Sequence, residues 1–238
     1  MIKAITFDLW NTLFENVSYS DLRLNILSKY LKKRGIKIPQ TSLIELYNNF
    51  FNFINPKFKV LPQHHVYTKE RVFYLFEELD ISINSLEVEQ IVNGIEAAML
   101  ENPPALKKGV KDTISVLSQD YKLGIISDTG ITPGRIIRII LKKYGILKFF
   151  LTTIFSDEIG YYKPHSKVFE IALDNLRCQP EHSIHIGDLI ETDIKGAKNY
   201  NMRAILISNS LQIDNFDIRP DYKINEISEV IEIVKNII

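Results

Sequence analysis

Beyond Pro103-Pro104, apolar runs of strand character alternate with amphipathic helical stretches, and this alternation admits few folds. Strand patterns fall at 122–127, 152–155, 183–187 and 204–208, and helical patterns at 110–118, 133–144, 166–176, 190–200 and 227–237. Short strand-to-helix connections imply a parallel sheet covered on both faces. One more buried-strand pattern, 2–8, stands alone at the start of the chain. Between it and the alternating region lies a helical, aromatic-rich stretch from about 17 to 100. There Leu22, Ile26 and Tyr30 with Leu24, Leu27 and Leu31 recur at helical spacing until Gly35. Ser42 with Glu45 reads as a capping box before a stripe of Leu46, Phe50, Phe53 and Ile54, and further helices fit 68–79 and 86–100. The expected class is α/β: a doubly wound, Rossmann-like parallel sheet built from 1–16 and 102–238. An all-helical insertion at 17–101 is expected to stand over the carboxyl edge as a cap.

Four segments far apart in the chain end an apolar run on carboxylates, hydroxyls or a lysine. They contain Asp8-Leu9-Trp10-Asn11-Thr12, Ser127-Asp128, Gly160-Tyr161-Tyr162-Lys163-Pro164, and Gly187-Asp188 followed by Asp193. Strand carboxyl ends line one edge of a parallel sheet, where such folds bind ligands. A single site assembled from all four is therefore expected.

Composition narrows what that site serves. Lys plus Arg equals Asp plus Glu at 29 each, so no net field draws the chain to nucleic acid or anionic membrane. The local run Lys32-Lys33-Arg34 suits a helix carboxyl end. Cys178 is alone, which excludes an intrachain disulfide and a thiolate metal site and agrees with a reducing, cytoplasmic setting. No apolar run is long enough for a bilayer, and with a strand expected from Ile2 no signal peptide is expected. The phenylalanines Phe50, Phe51, Phe53, Phe58, Phe73 and Phe76 fit a packed helical interior, a dimer face or both, so the expected state is a monomer or a homodimer.

An Asp at a strand end can simply cap a turn. With Asp188 and Asp193 at another strand end, however, Asp8 joins carboxylates that repel one another unless a cation lies between them. Oxygen-only ligands suit a hard ion such as magnesium. Lys163, in a loop before Pro164, would hold a carboxylate ionised and neutralise an anionic substrate. Thr12 and Ser127 supply hydroxyl donors, residues equally common as caps.

In this combination the chain resembles the haloacid dehalogenase-like hydrolase superfamily over essentially its whole length. The residues that carry the resemblance are Asp8 with Thr12, Ser127, Lys163 within Gly160-Tyr161-Tyr162-Lys163-Pro164, and Gly187-Asp188 with Asp193. The resemblance implies an aspartyl-phosphate on Asp8 that water hydrolyses. Magnesium would be held by Asp8, the Trp10 backbone carbonyl and Asp188, with Asp193 as ligand or outer support. Thr12, Ser127, Asp128 and Lys163 would bind a small phosphorylated substrate.

Trp10 departs from the superfamily pattern, because most of its phosphatases carry there a second Asp that protonates the leaving oxygen. Two branches lack that Asp. Haloacid dehalogenases attack carbon without metal and use a cap arginine where Asn48 falls here, and Asp188 with Asp193 argues against that chemistry. Phosphonate-cleaving hydrolases use a cap lysine, for which Lys57, Lys59 and Lys69 are the candidates. His64, His65 and Tyr67 could supply an acid from a loop, although paired loop histidines are more often exposed. His185 is expected to pack, His165 to start a helix and His182 to sit in a turn. A catalytically weak member that binds a phospho-ligand or a protein is the remaining alternative.

Overall fold

The computed structural model describes residues 1–51, 63–208 and 217–237. Among these, six strands form one parallel sheet: β1 (Ala4–Phe7), β2 (Lys122–Ser127), β3 (Phe150–Phe155), β4 (Ser183–Gly187), β5 (Arg203–Ile207) and β6 (Tyr222–Ile224). Their spatial order is β3-β2-β1-β4-β5-β6. The chain builds outward from β1 through β2 to β3, then crosses back to place β4 on the other side of β1. In register, Phe7 lies between Ile125 of β2 and Ile186 of β4. That reversal makes the β1–β4 carboxyl ends the switch point at which open α/β sheets bind ligands.

Helices cover both faces. Ile5, Phe7, Leu123, Ile125, Ile184 and Ile186 pack on one face against α5 (Val110–Leu117), α6 (Gly134–Lys143) and α10 (Val230–Asn236). Ala4, Ile126, Ile154, Ala204 and Leu206 pack on the other against α8 (Ser166–Leu176) and α9 (Lys195–Asn199). Strand alternation thus puts apolar residues on both faces, as a doubly covered sheet requires. A four-residue helix, α7 (Ser156–Ile159), links β3 to the loop that carries Lys163.

Between β1 and β2 stand α1 (Ser20–Lys33), α2 (Gln40–Phe51), α3 (Thr68–Glu78) and α4 (Ser85–Ala97), which share a separate apolar cluster with Ile131. Lys32 and Lys33 occupy the last turn of α1, where cations meet the helix dipole. A capping box does form, at Asn84 and Glu87 ahead of α4. Ser42 and Glu45 do not make one, because α2 already begins at Gln40 and both residues lie inside it. The buried face of α2 is accordingly Leu43, Tyr47, Phe50 and Phe51, with Leu46 only half-buried. Phe76 is buried and Phe73 is 39% exposed. Phe53, Ile54, Lys57, Phe58 and Lys59 lie outside the described residues.

The helical segment leaves and re-enters the core through one short antiparallel joint. Glu15 donates its N–H to the Ala105 carbonyl at 2.9 Å, Lys107 donates to Leu13 at 2.9 Å, and Phe14 bridges Leu106.

Candidate active site

Asp8 stands one residue past β1, and its N–H donates to the Ile186 carbonyl at 2.8 Å, which prolongs the ladder with β4. The chain then turns sharply. The N–H groups of Thr12, Leu13 and Phe14 all converge on the Leu9 carbonyl, and Asn11 takes a left-handed φ of 56°. Asparagine tolerates that conformation better than most residues. Its side chain donates to Asp188 Oδ2 at 3.0 Å, and Lys107 Nζ donates to its carbonyl at 2.7 Å. The turn buries Thr12 beside Asp8 and ties the β1 end to the β4 end.

Lys163 is the hub of the site. Its buried Nζ donates to Asp8 Oδ1 and Asp193 Oδ1, each at 2.6 Å, and to the Ile126 carbonyl at 3.1 Å. Three acceptors use all three ammonium hydrogens. Burial alone would drive the proton off, but the charges of Asp193 and Asp8 outweigh it and hold the Lys163 pKa above its ordinary value. One cation cannot fully balance two buried carboxylates. Burial, opposed by Lys163 and reinforced by the charge of Asp193, pushes Asp8 up to about 8. Asp193 goes the other way: burial would raise it, yet Lys163 and His185 bring it below the usual carboxylate range.

Asp193 is placed by a π-helical turn, Ile190–Ile194, and accepts the Leu189 N–H at 3.0 Å. His185 approaches it from β4, with Nε2 3.3 Å from Asp193 Oδ1 and Nδ1 2.9 Å from Thr6 Oγ1. Burial lowers the His185 pKa, so the neutral ring fits with Thr6 donating to Nδ1 and Nε2–H donating to Asp193. Asp193 packs so closely on Gly187 that a Cβ there would sit 2.2 Å from its Cγ. Gly187→Ala therefore has to displace Asp193, and a loss of about 2 kcal/mol in stability is expected from such overpacking. Chemical denaturation checks it, and an unchanged midpoint would contradict the account.

Around this charged centre lie two silent hydroxyls. Thr12 Oγ1 and Ser127 Oγ are buried without a hydrogen-bond partner among the described residues. Orphaned buried hydroxyls are rare and costly unless a ligand uses them. Asp128, next to Ser127, accepts the Lys163 N–H at its Oδ1 at 3.0 Å, and its carbonyl accepts Trp10 Nε1–H at 3.1 Å. Burial, partly offset by Lys163, raises Asp128 to about 6.

Asp8, Asp188 and Asp193 each present a carboxylate oxygen within 4.8 Å of the others. An all-oxygen donor set with an uncompensated buried carboxylate fits a hard divalent cation. Asp193 already serves Lys163, Leu189 and His185, so Asp8 and Asp188 are the freer pair. Asp188 is raised by burial, with the Asp193 charge adding to it, which a nearby cation would reverse.

The structure therefore brings Asp8, Thr12, Ser127, Asp128, Lys163, Asp188 and Asp193 to one place, with Trp10 on its rim. Lys69 is exposed on α3, with its ammonium 5.8 Å from the Phe73 ring centre. His64 and Tyr67 are exposed, but His65 is buried, contrary to its expected exposure on a loop. His165 caps α8 by accepting the Lys167 N–H, and His182 closes a short turn. Asn11, Lys107 and Thr6 were not singled out by the sequence. Only the left-handed tolerance of asparagine could have hinted at the first of them.

The family model described as haloacid dehalogenase-like hydrolase matches residues 5–207. The glyceraldehyde 3-phosphate phosphatase of Methanothermobacter thermautotrophicus is 29% identical over 211 residues, covering 89% of this chain and 88% of that one. The enzyme of the same name from Methanocaldococcus jannaschii is 27% identical over 238 residues, covering 100% and 99%. Among solved structures, a 2-haloacid dehalogenase from Pseudomonas syringae pv. Tomato superposes with a TM-score of 0.74 at 23% identity, covering 99% of each chain. A phosphatase from Thermococcus onnurineus gives 0.68 at 22%, covering 98% of each. At these identities the structures speak to fold.

Proposed function

Because the chain belongs to the haloacid dehalogenase-like hydrolase family, we propose that it is a magnesium-dependent phosphatase that cleaves a small phosphorylated metabolite through an aspartyl-phosphate on Asp8. The carrying observation is the pair of buried hydroxyls without a hydrogen-bond partner among the described residues, Thr12 four residues past Asp8 and Ser127 next to the Ile126 carbonyl that Lys163 bonds. A phosphoryl group supplies the acceptors that both lack. The names of the phosphatase relatives agree with that substrate class.

In this reading Asp8 attacks phosphorus and Lys163 neutralises phosphoryl oxygen while holding the Asp8 carboxylate in line. Thr12 and Ser127 donate to the equatorial oxygens. Asp8, Asp188 and the Trp10 carbonyl would hold magnesium, with Asp193 supporting; when bound, such an ion would supply charge to screen the phosphoryl oxygens. The helical segment 17–101 would act as a cap that excludes water and selects the leaving group. Dehalogenation is disfavoured, since it has no use for Asp188 beside Asp8.

Trp10 cannot donate a proton to a leaving oxygen, and its indole N–H is committed to Asp128. General acid catalysis is commonly worth at least about a hundredfold. Hydrolysis should therefore favour good leaving groups, with p-nitrophenyl phosphate outpacing glycerol phosphate by about tenfold or more. The test is a panel of phosphate esters, glyceraldehyde 3-phosphate and phosphonates included, with release of phosphate followed with and without magnesium. Turnover that ignores magnesium, or cleavage of phosphonates alone, would defeat the proposal. Trp10 is the only tryptophan in the chain, so its emission should also respond to a magnesium titration.

A further inference from the structure

The stretch 63–65 of the helical segment pairs with the loop that carries Lys163. The His65 N–H donates to the Gly160 carbonyl at 2.9 Å, the Tyr162 N–H donates to the Gln63 carbonyl at 2.6 Å, and His64 bridges Tyr161 in antiparallel fashion. This short ladder ends one residue before Lys163. The His65 side chain makes a second connection. Its Nδ1 lies 3.1 Å from Ser156 Oγ, at the start of α7. The same Oγ accepts the Thr129 N–H at 2.9 Å and lies 3.0 Å from Thr129 Oγ1, which accepts the Asp157 N–H at 3.3 Å.

All of these atoms are satisfied together by one arrangement. Ser156 donates to His65 Nδ1 and accepts both donors of Thr129, which is the fullest use of two hydroxyls and a neutral imidazole. Thr129 follows Ser127 and Asp128, and Asp128 in turn holds the Lys163 N–H. Two routes from His65 therefore converge on Lys163, one through the backbone of 160–162 and one through Ser156, Thr129 and Asp128. The ring is buried between Tyr67 and Tyr162, with centroids 4.8 and 5.1 Å away. The ring's link to Lys163 runs through these contacts.

We propose that His65 is a positioning residue: by holding Ser156 and Thr129 from the helical segment, it sets the placement of Ser127 and Lys163 on the transferring phosphoryl group. This rests on the phosphatase reading above. Seating of the segment and assembly of the site would then be one event, and misplacement of catalytic groups by a fraction of an ångström is costly to rate.

The experiment measures p-nitrophenyl phosphate hydrolysis with magnesium for the wild type, His65→Phe, Ser156→Ala, the double variant and His65→Asn. Expected are about tenfold losses of kcat in both His65→Phe and Ser156→Ala, with KM nearly unchanged. The double variant should lose no more than either single, because both break one link. His65→Asn, whose amide oxygen stands in for Nδ1, should recover most of kcat. Wild-type kcat in His65→Phe, losses that multiply in the double variant, or no recovery in His65→Asn would overturn the proposal. Ser156→Ala, a small change, carries the comparison should the Phe variant not fold.

Trp10 emission gives a readout free of turnover, since its indole bonds Asp128 beside Thr129. A shifted emission in Ser156→Ala and His65→Phe, restored in His65→Asn, supports the link, and identical spectra refute it. Absence of phosphate release from every ester by the wild type would instead defeat the phosphatase reading, and the emission spectra alone would then judge His65.

Discussion

Asp8→Asn abolishes phosphate release from p-nitrophenyl phosphate, a fall on the order of 10⁴-fold or more, while leaving the protein folded. On the mechanism proposed above, a loss this large follows from removing the nucleophile rather than a binding contact. The stability expectation separates this from a structural defect. Asn keeps an oxygen acceptor for Lys163 Nζ, now 2.6 Å from Asp8 Oδ1. It also removes one of two buried carboxylates that share a single ammonium, so the Lys163–Asp193 pair is left balanced. The melting temperature without magnesium should hold or rise. Residual turnover above about a hundredth of the wild type, in a folded variant, would assign the nucleophile elsewhere.

Lys163→Met is expected to cost the fold about 3 kcal/mol or more, because it leaves the ionised, buried Asp193 without its ammonium partner and takes the same donor from Asp8. For a chain of this size that corresponds to a fall of about 10 °C in the thermal midpoint. Methionine fills much the same volume, so the loss reports charge rather than a cavity. The sign can be checked independently. Magnesium should raise the midpoint of the Met variant more than that of the wild type, since a divalent cation beside Asp8 and Asp188 replaces part of the missing positive charge. Equal midpoints for variant and wild type would mean that Lys163 does not hold the two carboxylates together.

Much of this architecture is legible in the residues. Strands β2 and β4 and helix α8 match their expected limits to the residue, because the strands are short apolar runs and α8 is an amphipathic stretch, each bounded by clear turn signals. β6 was missed, being only three residues at the sheet margin, and so was α7, a single turn. The capping box placed at Ser42 failed because the local pattern ignores where tertiary packing starts α2.

At the site, residue types at strand ends were visible as a pattern. What could not be read was who bonds whom across long sequence separation. Nothing local says that Asn11 will meet Asp188, that His185 will join Thr6 to Asp193, or that His65 will be drawn in from the helical segment. These are consequences of sheet order and of two faces closing, not of periodicity.

The antiparallel joint at Leu13–Glu15 and Ala105–Lys107 has a meaning for how such a chain can change over time. Whatever lies between Glu15 and Ala105 is a loop already closed at its base. Closure entropy grows only with the logarithm of loop length, so lengthening such a loop from about ten residues to about ninety costs only about 2 kcal/mol. Loop closure therefore leaves the stability of the sheet nearly indifferent to how much polypeptide is inserted there. A lineage can lengthen or shorten that insert at little cost to the sheet, provided the 63–65 contacts to Ser156 and 160–162 are kept.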